Sequence, residues 1–270
     1  MTEAQTRSPH FGRAATATTY RDIHLPKVFA PWAQVLLEIV PPGAGDAVLD
    51  VATGPGTVAR PAAALAGPSG RVTAVDLSAA MLDVARSFPP AVGSAPIEYI
   101  ESAATSIPLP TETFDRAYCQ QGLQHMSDPA AALEEIHRLL KPNARLAVAV
   151  WLQSPFGLFR QTVADLGIRP EGAQPSTFGR DPADLRKALE HAGFTDVEVQ
   201  TREMVSVLEG GAPQALEVAL ATAAGAGMSD LSSADQQRVK AALTSAVQPL
   251  ARPDGVHLKS VTSIASATRP

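Results

Sequence analysis

Val48-Leu49-Asp50-Val51-Ala52-Thr53-Gly54-Pro55-Gly56-Thr57-Val58-Ala59 is the stretch whose reading decides the fold. Its first part, with Ala47, is a short apolar run of the kind that makes a strand buried on both faces. Thr53-Gly54-Pro55-Gly56 is a glycine turn, and Val58 to Leu65 reads as the helix that follows, with Pro61 in its first turns, where a missing N–H costs little. A strand, a glycine turn and a helix form the opening unit of a parallel α/β sheet, in which ligands bind beyond the carboxyl ends of the strands. Glycine at such a turn permits positive φ and lets a ligand approach the backbone without meeting a Cβ. The helix N-terminus adds N–H groups that have no partner within the helix.

The same alternation continues outward. Gly67-Pro68-Ser69-Gly70 is a turn, Arg71 to Val75 a second strand ending at Asp76, and Ser78 caps a helix over Ala79 to Ser87. Ile97 to Ile100 and Phe114 to Cys119 read as the third and fourth strands, and Leu146 to Trp151 as the fifth. Between the last two, Pro129 to Leu140 is an amphipathic helix with Leu133, Ile136, Leu139 and Leu140 on one face and Glu134, Glu135 and Arg138 on the other. Asp128-Pro129 starts it and Lys141-Pro142-Asn143 stops it. Upstream, Asp22 to Val40 carries Val28, Phe29, Trp32, Val35, Leu36 and Ile39 at helical spacing and ends at Pro41-Pro42-Gly43. Downstream, Asp181 to Ala192, Ala215 to Ala224 and Ala234 to Val247 are expected as helices, with strands over Thr195 to Thr201 and Val256 to Ala267. Strands alternating with helices imply a parallel sheet with right-handed crossovers.

Composition narrows the partners. The chain has 270 residues and a net charge of −5, with no basic stripe to displace counterions from phosphates, so nucleic acid is not expected and a small or neutral substrate is. Cys119 is the single cysteine, which excludes a disulfide within the chain and any CxxC metal site. His24 and His257 stand isolated, so no metal is expected. The N-terminal Met1 to Arg13 has no apolar signal core, and no apolar run is long enough to span a bilayer; the expectation is a cytoplasmic protein without membrane insertion.

Asp76 follows Gly56 by twenty residues and closes the second strand, where a carboxylate can accept both hydroxyl hydrogens of an adenosine ribose. Glycine turn and acid together specify an adenosine-bearing cofactor without saying which. Gly54-Pro55-Gly56-Thr57-Val58-Ala59 also satisfies the G-x-G-x-x-A dinucleotide fingerprint. Against a dinucleotide stands Asp50, whose charge would repel a pyrophosphate and welcome an ammonium group.

The run VLDVATGPGTVA resembles the first motif of the class I S-adenosylmethionine-dependent methyltransferases, in the branch that includes the ubiquinone and menaquinone biosynthesis methyltransferases. The resemblance continues through VTAVDLSAAMLDVAR, ATSIPLPTETFDRAYCQQGLQHMSDPAAALEEIHRLLKP and LAVAVW, in unbroken order from Ala47 to Trp151. It implies a Rossmann-like, doubly wound, mostly parallel seven-stranded α/β sheet with an N-terminal helical lid and a helical cap inserted in the C-terminal half. The expected layout is one domain: lid over 1–45, cofactor-binding core over 46–152, substrate cap and remaining core over 153–254, last strand and tail over 255–270.

The resemblance also implies roles. Asp50 and the backbone of Ala52, Thr53, Gly54, Pro55 and Gly56 would face the methionine moiety of S-adenosylmethionine. Asp76 would bind the ribose, Leu77 would border the adenine with Met81 nearby, and Ala103, Ala104 and Thr105 would form the adenine loop. Gln120 and Gln121 would lie close to the methionine end and the transferred methyl. An aromatic residue of the segment Phe11 to Tyr20, Tyr20 foremost, would close over the cofactor, where a ring face attracts a sulfonium. The sequence departs from the pattern in three places: Ala52 replaces the usual first glycine, Ala103 the usual adenine-binding acid, and Asn143-Ala144 the usual Gly-Gly after the helix, with asparagine able to adopt the left-handed turn.

His125, just past the fourth strand, is the candidate catalytic base for a phenol or hydroxyl acceptor. The expected reaction is methyl transfer to a small-molecule acceptor of bacterial secondary or quinone-type metabolism, with a homodimer as an allowed assembly. Three alternatives stay open: a cyclase on this fold that binds the cofactor without using its methyl, a dinucleotide enzyme, and a non-catalytic cofactor-binding protein.

Overall fold

A computed structural model describes residues 20–168, 178, 179, 181–221, 228 and 231–270. The chain divides into two compact units, one of Phe29–Leu152, Ser176–Arg202 and Thr262–Pro270, the other of Met1–Val28, Gln153–Pro175 and Glu203–Val261.

The larger unit carries the alternating pattern. After the wide helical coil Tyr20–Phe29 come α1 (Ala30–Ile39), β1 (Ala47–Val51), α2 (Ala59–Ala66), β2 (Arg71–Asp76), α3 (Ala79–Arg86), β3 (Ile97–Glu101), β4 (Phe114–Gln120), α4 (Pro129–Leu139) and β5 (Leu140–Gln153). α6 (Pro182–His191), β6 (Thr195–Leu208) and β8 (Gly255–Thr268) complete the sheet, whose order is β3-β2-β1-β4-β5-β8-β6. β3, β2, β1, β4 and β5 pair in parallel, with Asp50 opposite Ala74 on one side and Tyr118 on the other. Arg269, just past β8, exchanges backbone hydrogen bonds with Asn143 and Ala144 early in β5, so those two strands run antiparallel. The seven-stranded, mostly parallel, doubly wound sheet is thus present, with the two-residue β7 (Ala251–Arg252) added as a hairpin on β8.

Strand alternation sorts the core. Leu49, Val51, Ala117, Cys119, Leu146 and Val148 pack in one cluster with Leu133 and Ile136 of α4 and Leu185 and Leu189 of α6. Residues of the other parity, such as Tyr118, turn the opposite way; its hydroxyl donates to the Val40 carbonyl just beyond α1. The caps form as the sequence requires: Ser78, Asp128 and Asp181 each accept a backbone N–H from the first turn of α3, α4 and α6.

Four boundaries differ from expectation. The helix expected over Asp22 to Val40 is formed in two windings, the wide coil Tyr20–Phe29, which holds Pro26, and α1, which carries Pro31 in its first turn where the missing N–H costs little. β5 begins at Leu140, not Leu146, and takes in Lys141-Pro142-Asn143. Polar residues hid this half of the strand, yet they pair sideways: Lys141 Nζ lies 2.7 Å from Asp115 Oδ1, and Arg145 donates to Ser266 Oγ at 3.1 Å. β6 likewise runs past Thr201 to Leu208, with Glu203 and Lys259 forming an ion pair at 2.7 Å. Within Gln153 to Arg180, expected as cap, Gly157–Asp165 is a further helix (α5), while Phe178 packs against the core cluster of the larger unit.

The smaller unit has a core of its own. α5, α7 (Gly211–Leu220) and α8 (Ser233–Val247) bury Phe159, Val163, Val218, Ala219, Val239 and Leu243 with Leu208, Val256 and Leu258 from the strand ends. Residues 222–224, the end of the helix expected over Ala215 to Ala224, and the segment Phe11 to Thr19 lie outside the described residues.

Candidate functional site

The glycine turn is built around a buried carboxylate. Asp50, 1% exposed at the end of β1, accepts the Thr53 hydroxyl at 2.6 Å and the Ala59 N–H at 2.9 Å, both on Oδ2. These two bonds tie the strand end to the turn and to the first residue of α2. Thr53 N–H donates to the Val75 carbonyl at 3.0 Å, fastening the turn to β2. The path requires left-handed φ at Ala52 (57°), Gly54 (56°) and Gly56 (75°). At Ala52 that conformation costs about 1 kcal/mol. A Cβ on Gly54 would meet nothing within 4 Å among the described residues, which leaves that edge of the turn clear of them.

The second strand supplies the other acid. Asp76 accepts the Gly54 N–H at 2.7 Å on Oδ2 and the Ser78 N–H at 2.9 Å on Oδ1, so it braces the glycine turn as well as facing the place expected for a ribose. Leu77 beside it is 39% exposed, a large apolar side chain left in the open where the adenine edge is expected. Met81 is 3% exposed and serves α3 as core. The loop with Ala103, Ala104 and Thr105 starts where Ser102 N–H meets the Asp76 carbonyl at 3.0 Å. Its far end is held by α4: Glu135 Oε1 accepts the Ile107 N–H at 2.7 Å, and Arg138 donates to the carbonyls of Ile107 and Leu109. Glu135 and Arg138, placed by the sequence on the polar face of the helix, therefore fix the loop expected to meet the adenine; the i,i+3 opposite charges were the sequence signal.

β4 brings the third wall. Gln120 donates through Nε2 to the Phe29 carbonyl at 2.8 Å, and Gln121, at φ 56°, donates through Nε2 to Thr262 Oγ1 at 3.4 Å. Both side chains are buried, and among the described residues neither Oε1 has a hydrogen-bond partner. Gly122, which the sequence did not single out, is the reason these residues can sit against the turn: a Cβ there would lie 2.6 Å from Ala52 Cβ and 3.0 Å from Cys119 Sγ. The rings of Phe29 and Trp32 lie 6.3 and 6.0 Å from Trp151 at the end of β5. His125 is exposed on the short helical turn Leu123–His125, with Nε2 3.3 Å from Gln124 Nε2. Tyr20 lies in the described helical coil, but its side chain lies outside the described residues.

Electrostatics follow from burial. Burial pushes the Asp50 carboxyl up to about 7, against the lowering effect of the Thr53 and Ala59 bonds, and pushes Asp76 above the usual carboxylate range. Burial also holds the Cys119 thiol up at about 12, so that sulfur is a small apolar group and no nucleophile. Among the described residues no cluster of His, Cys, Asp or Glu could hold a metal.

The residues present suit a cation-bearing adenosine cofactor. Oδ1 of Asp50 has no partner among the described residues, and an acceptor buried without a donor costs about 1–3 kcal/mol until a ligand supplies one. A pyrophosphate at that place would meet a carboxylate instead of a donor, which disfavours the dinucleotide alternative.

The chain is similar to known methyltransferases in sequence and in fold. The methyltransferase-domain family model matches residues 49–148. The ubiquinone/menaquinone biosynthesis C-methyltransferase of Hahella chejuensis is 32% identical over 168 residues, 55% of this chain and 67% of that protein. A Bacillus halodurans protein provisionally assigned as a methyltransferase superposes with a TM-score of 0.59 at 22% identity, over 88% of this chain and 98% of its own. Phosphoethanolamine N-methyltransferase 2 of Haemonchus contortus, solved with S-adenosyl-L-methionine, gives 0.55 at 18% identity, over 94% of this chain and 56% of its own. The [4+2]-cyclase SpnF gives 0.53 at 22% identity, over 89% of this chain and 81% of its own.

Proposed function

Because the chain belongs to the class I S-adenosylmethionine-dependent methyltransferases, we propose that it methylates a small-molecule acceptor of bacterial secondary or quinone-type metabolism. The observation that carries the quinone-type class is the 32% identity over 168 residues to a ubiquinone/menaquinone biosynthesis C-methyltransferase. S-adenosylmethionine is the cofactor, and it supplies an electrophilic methyl on a sulfonium.

In this reading the residues take the roles that the family resemblance implies. Asp50 and the turn Ala52–Gly56 hold the amino-acid end, Asp76 accepts from the ribose hydroxyls, and Leu77 with the loop 103–105 borders the adenine. Gln120 and Gln121 flank the methyl end. Fixing cofactor and acceptor in line accounts for most of the rate such a site can give. Were the acceptor to attack as an anion, it would neutralise the sulfonium charge, and the apolar rings of Phe29, Trp32 and Trp151, which pack together, would favour such a loss of charge. His125 remains the candidate base for an acidic hydroxyl; its exposure leaves the ring accessible to a proton donor. In this proposal residues 46–152 hold the cofactor, 1–45 close over it and 153–254 choose the acceptor. A cytoplasmic location and a homodimer belong to the same reading. Among the described residues no helix is long and apolar enough to cross a membrane.

The test is transfer of labelled methyl from S-adenosylmethionine to a panel of hydroquinones and phenols. Label in an acceptor with stoichiometric S-adenosylhomocysteine supports the reading. The fold is shared with a cyclase, so a bound cofactor that keeps its methyl while a polyene is cyclised would replace it.

A further inference from the structure

Asp50 takes from the start of α2 a donor that the glycine turn needs. Around that point the chain already follows the helical i→i−4 pattern: Thr57 N–H donates to the Thr53 carbonyl at 3.4 Å, and Arg60 N–H to the Gly56 carbonyl at 3.2 Å. The same pattern calls for Ala59 N–H on the Pro55 carbonyl. That N–H is engaged instead by Asp50 Oδ2 at 2.9 Å. Pro55 is buried, and a buried carbonyl deprived of its donor is destabilising.

Arg60 supplies the missing donor. Its Nη1 donates to the Pro55 carbonyl at 2.8 Å. The guanidinium is held in place from the other side, with its central carbon 3.7 Å from the centre of the Phe88 ring, within reach of cation–π attraction. Phe88 follows α3 and is fastened to it by its N–H on the Ala85 carbonyl at 3.3 Å. A Cβ built on Gly56 would lie 3.8 Å from Arg60 Cγ and 3.5 Å from both Ala85 Cβ and Tyr99 Oη, so the stem of Arg60, α3 and β3 close on the turn together. The first turn of a helix disfavours a cation, so the electrostatics of α2 do not explain an arginine there; the Pro55 carbonyl and the Phe88 ring do.

The glycine turn is thereby tied twice to one segment. Gly54 N–H is held by Asp76, just before α3 begins, and the Pro55 carbonyl is held through Arg60 by Phe88, just after α3 ends. Residues 54 and 55 belong to the half of the pocket expected to meet the amino-acid end of the cofactor, and Asp76 with Leu77 to the half expected to meet adenosine. Arg60 braces the first half against the second.

We propose that Arg60 is a positioning residue that fixes the Pro55 peptide and so sets the spacing between the two halves of the cofactor pocket. This rests on the pocket being an S-adenosylmethionine site. A ligand that spans both halves gains from the brace, and a ligand that fills only the adenosine half does not.

The test is calorimetric binding of S-adenosylhomocysteine, which spans both halves, and of 5′-methylthioadenosine, which lacks the amino-acid end, to the full chain and its variants. Arg60→Met keeps an apolar stem for Phe88 and removes the donor. It should bind S-adenosylhomocysteine about fivefold to fiftyfold more weakly and 5′-methylthioadenosine within about twofold of the unaltered protein. Arg60→Lys restores a donor and a charge and should recover part of the loss. An equal loss for both ligands, no loss for S-adenosylhomocysteine, or a lysine variant as weak as the methionine one overturns the proposal. If Arg60→Met does not fold, Phe88→Leu is read instead. It leaves the turn untouched and removes the ring under the guanidinium, so the preference for S-adenosylhomocysteine over 5′-methylthioadenosine should fall about twofold to fivefold, and an unchanged preference overturns the proposal. Failure of the unaltered protein to bind S-adenosylhomocysteine would remove the cofactor assignment, and the proposal with it, a result distinct from any of these.

Discussion

Asp50→Asn separates what the carboxylate costs the fold from what it gives the ligand. Burial raises the folded-state pKa from 3.8 to about 7. A raised acid holds its proton longer in the folded than in the unfolded chain, so stability falls as pH rises from 3.8 toward about 7 and is level above that. Keeping the group ionised at pH 8 therefore costs the ligand-free protein up to about 4 kcal/mol. Asparagine can keep the acceptor for Thr53 and Ala59, and places an amide N–H₂ where Oδ1 stood. That unpaired amide takes back about 1–3 kcal/mol. The net expectation is a gain of about 2 kcal/mol at pH 8, seen as a rise of about 4–8 °C in Tm. At pH 5 the wild-type carboxyl is already protonated, and the gain should vanish. Binding moves the other way. S-adenosylhomocysteine should bind the variant about tenfold to a hundredfold more weakly at pH 8, and the wild-type affinity should itself fall about tenfold between pH 8 and pH 6. Differential scanning fluorimetry and calorimetry at the two pH values read both effects. A variant no more stable than wild type at pH 8, or equally stabilised at pH 5, refutes the burial argument; unchanged affinity refutes the ammonium contact.

Three further substitutions probe the frame around it. Asp76→Ala removes the acceptor for Gly54 and Ser78 N–H as well as the ribose contact, and S-adenosylhomocysteine affinity should drop at least about tenfold by calorimetry. Gly122→Ala forces a Cβ to 2.6 Å from Ala52, and overpacking there should lower stability by about 1–3 kcal/mol in urea titration and weaken cofactor binding with it. Glu135→Gln loosens the loop 102–109, so hydrogen exchange at Ile107 should speed up. The Arg138 hydrogen bond holds the Glu135 carboxyl below its usual value, so its contribution is present above pH 4.5 and lost as pH falls through the lowered value; the variant and wild type should converge in Tm as the pH is taken below that.

The glycine turn, the two acids and the strand–helix alternation were legible in the sequence because each is a local requirement. A left-handed turn wants glycine, a cap wants Ser or Asp, and a strand covered on both faces is continuously apolar. Val48 to Ala59 lies where those rules placed it, and Asn143 takes φ 64° as its side-chain chemistry allows. The strand halves at 140–145 and 202–208 were not legible. Their polar residues are satisfied by partners far away in the chain, such as Asp115 for Lys141 and Lys259 for Glu203, and no local pattern announces a distant pair.

The same division runs through the site. Sequence alone led to the expectation of an adenosine-bearing cofactor at the glycine turn and Asp76, from residue type and spacing, and the family resemblance added Asp50 to it. Only tertiary structure decided how those residues are held and which atoms are left to bind. Gly122 is required by a neighbour seventy residues away, Glu135 and Arg138 by the loop they pin, and the orientation of Gln120 by the Phe29 carbonyl. An unsatisfied oxygen is a property of its surroundings, and the chain acquires those only when distant segments pack together.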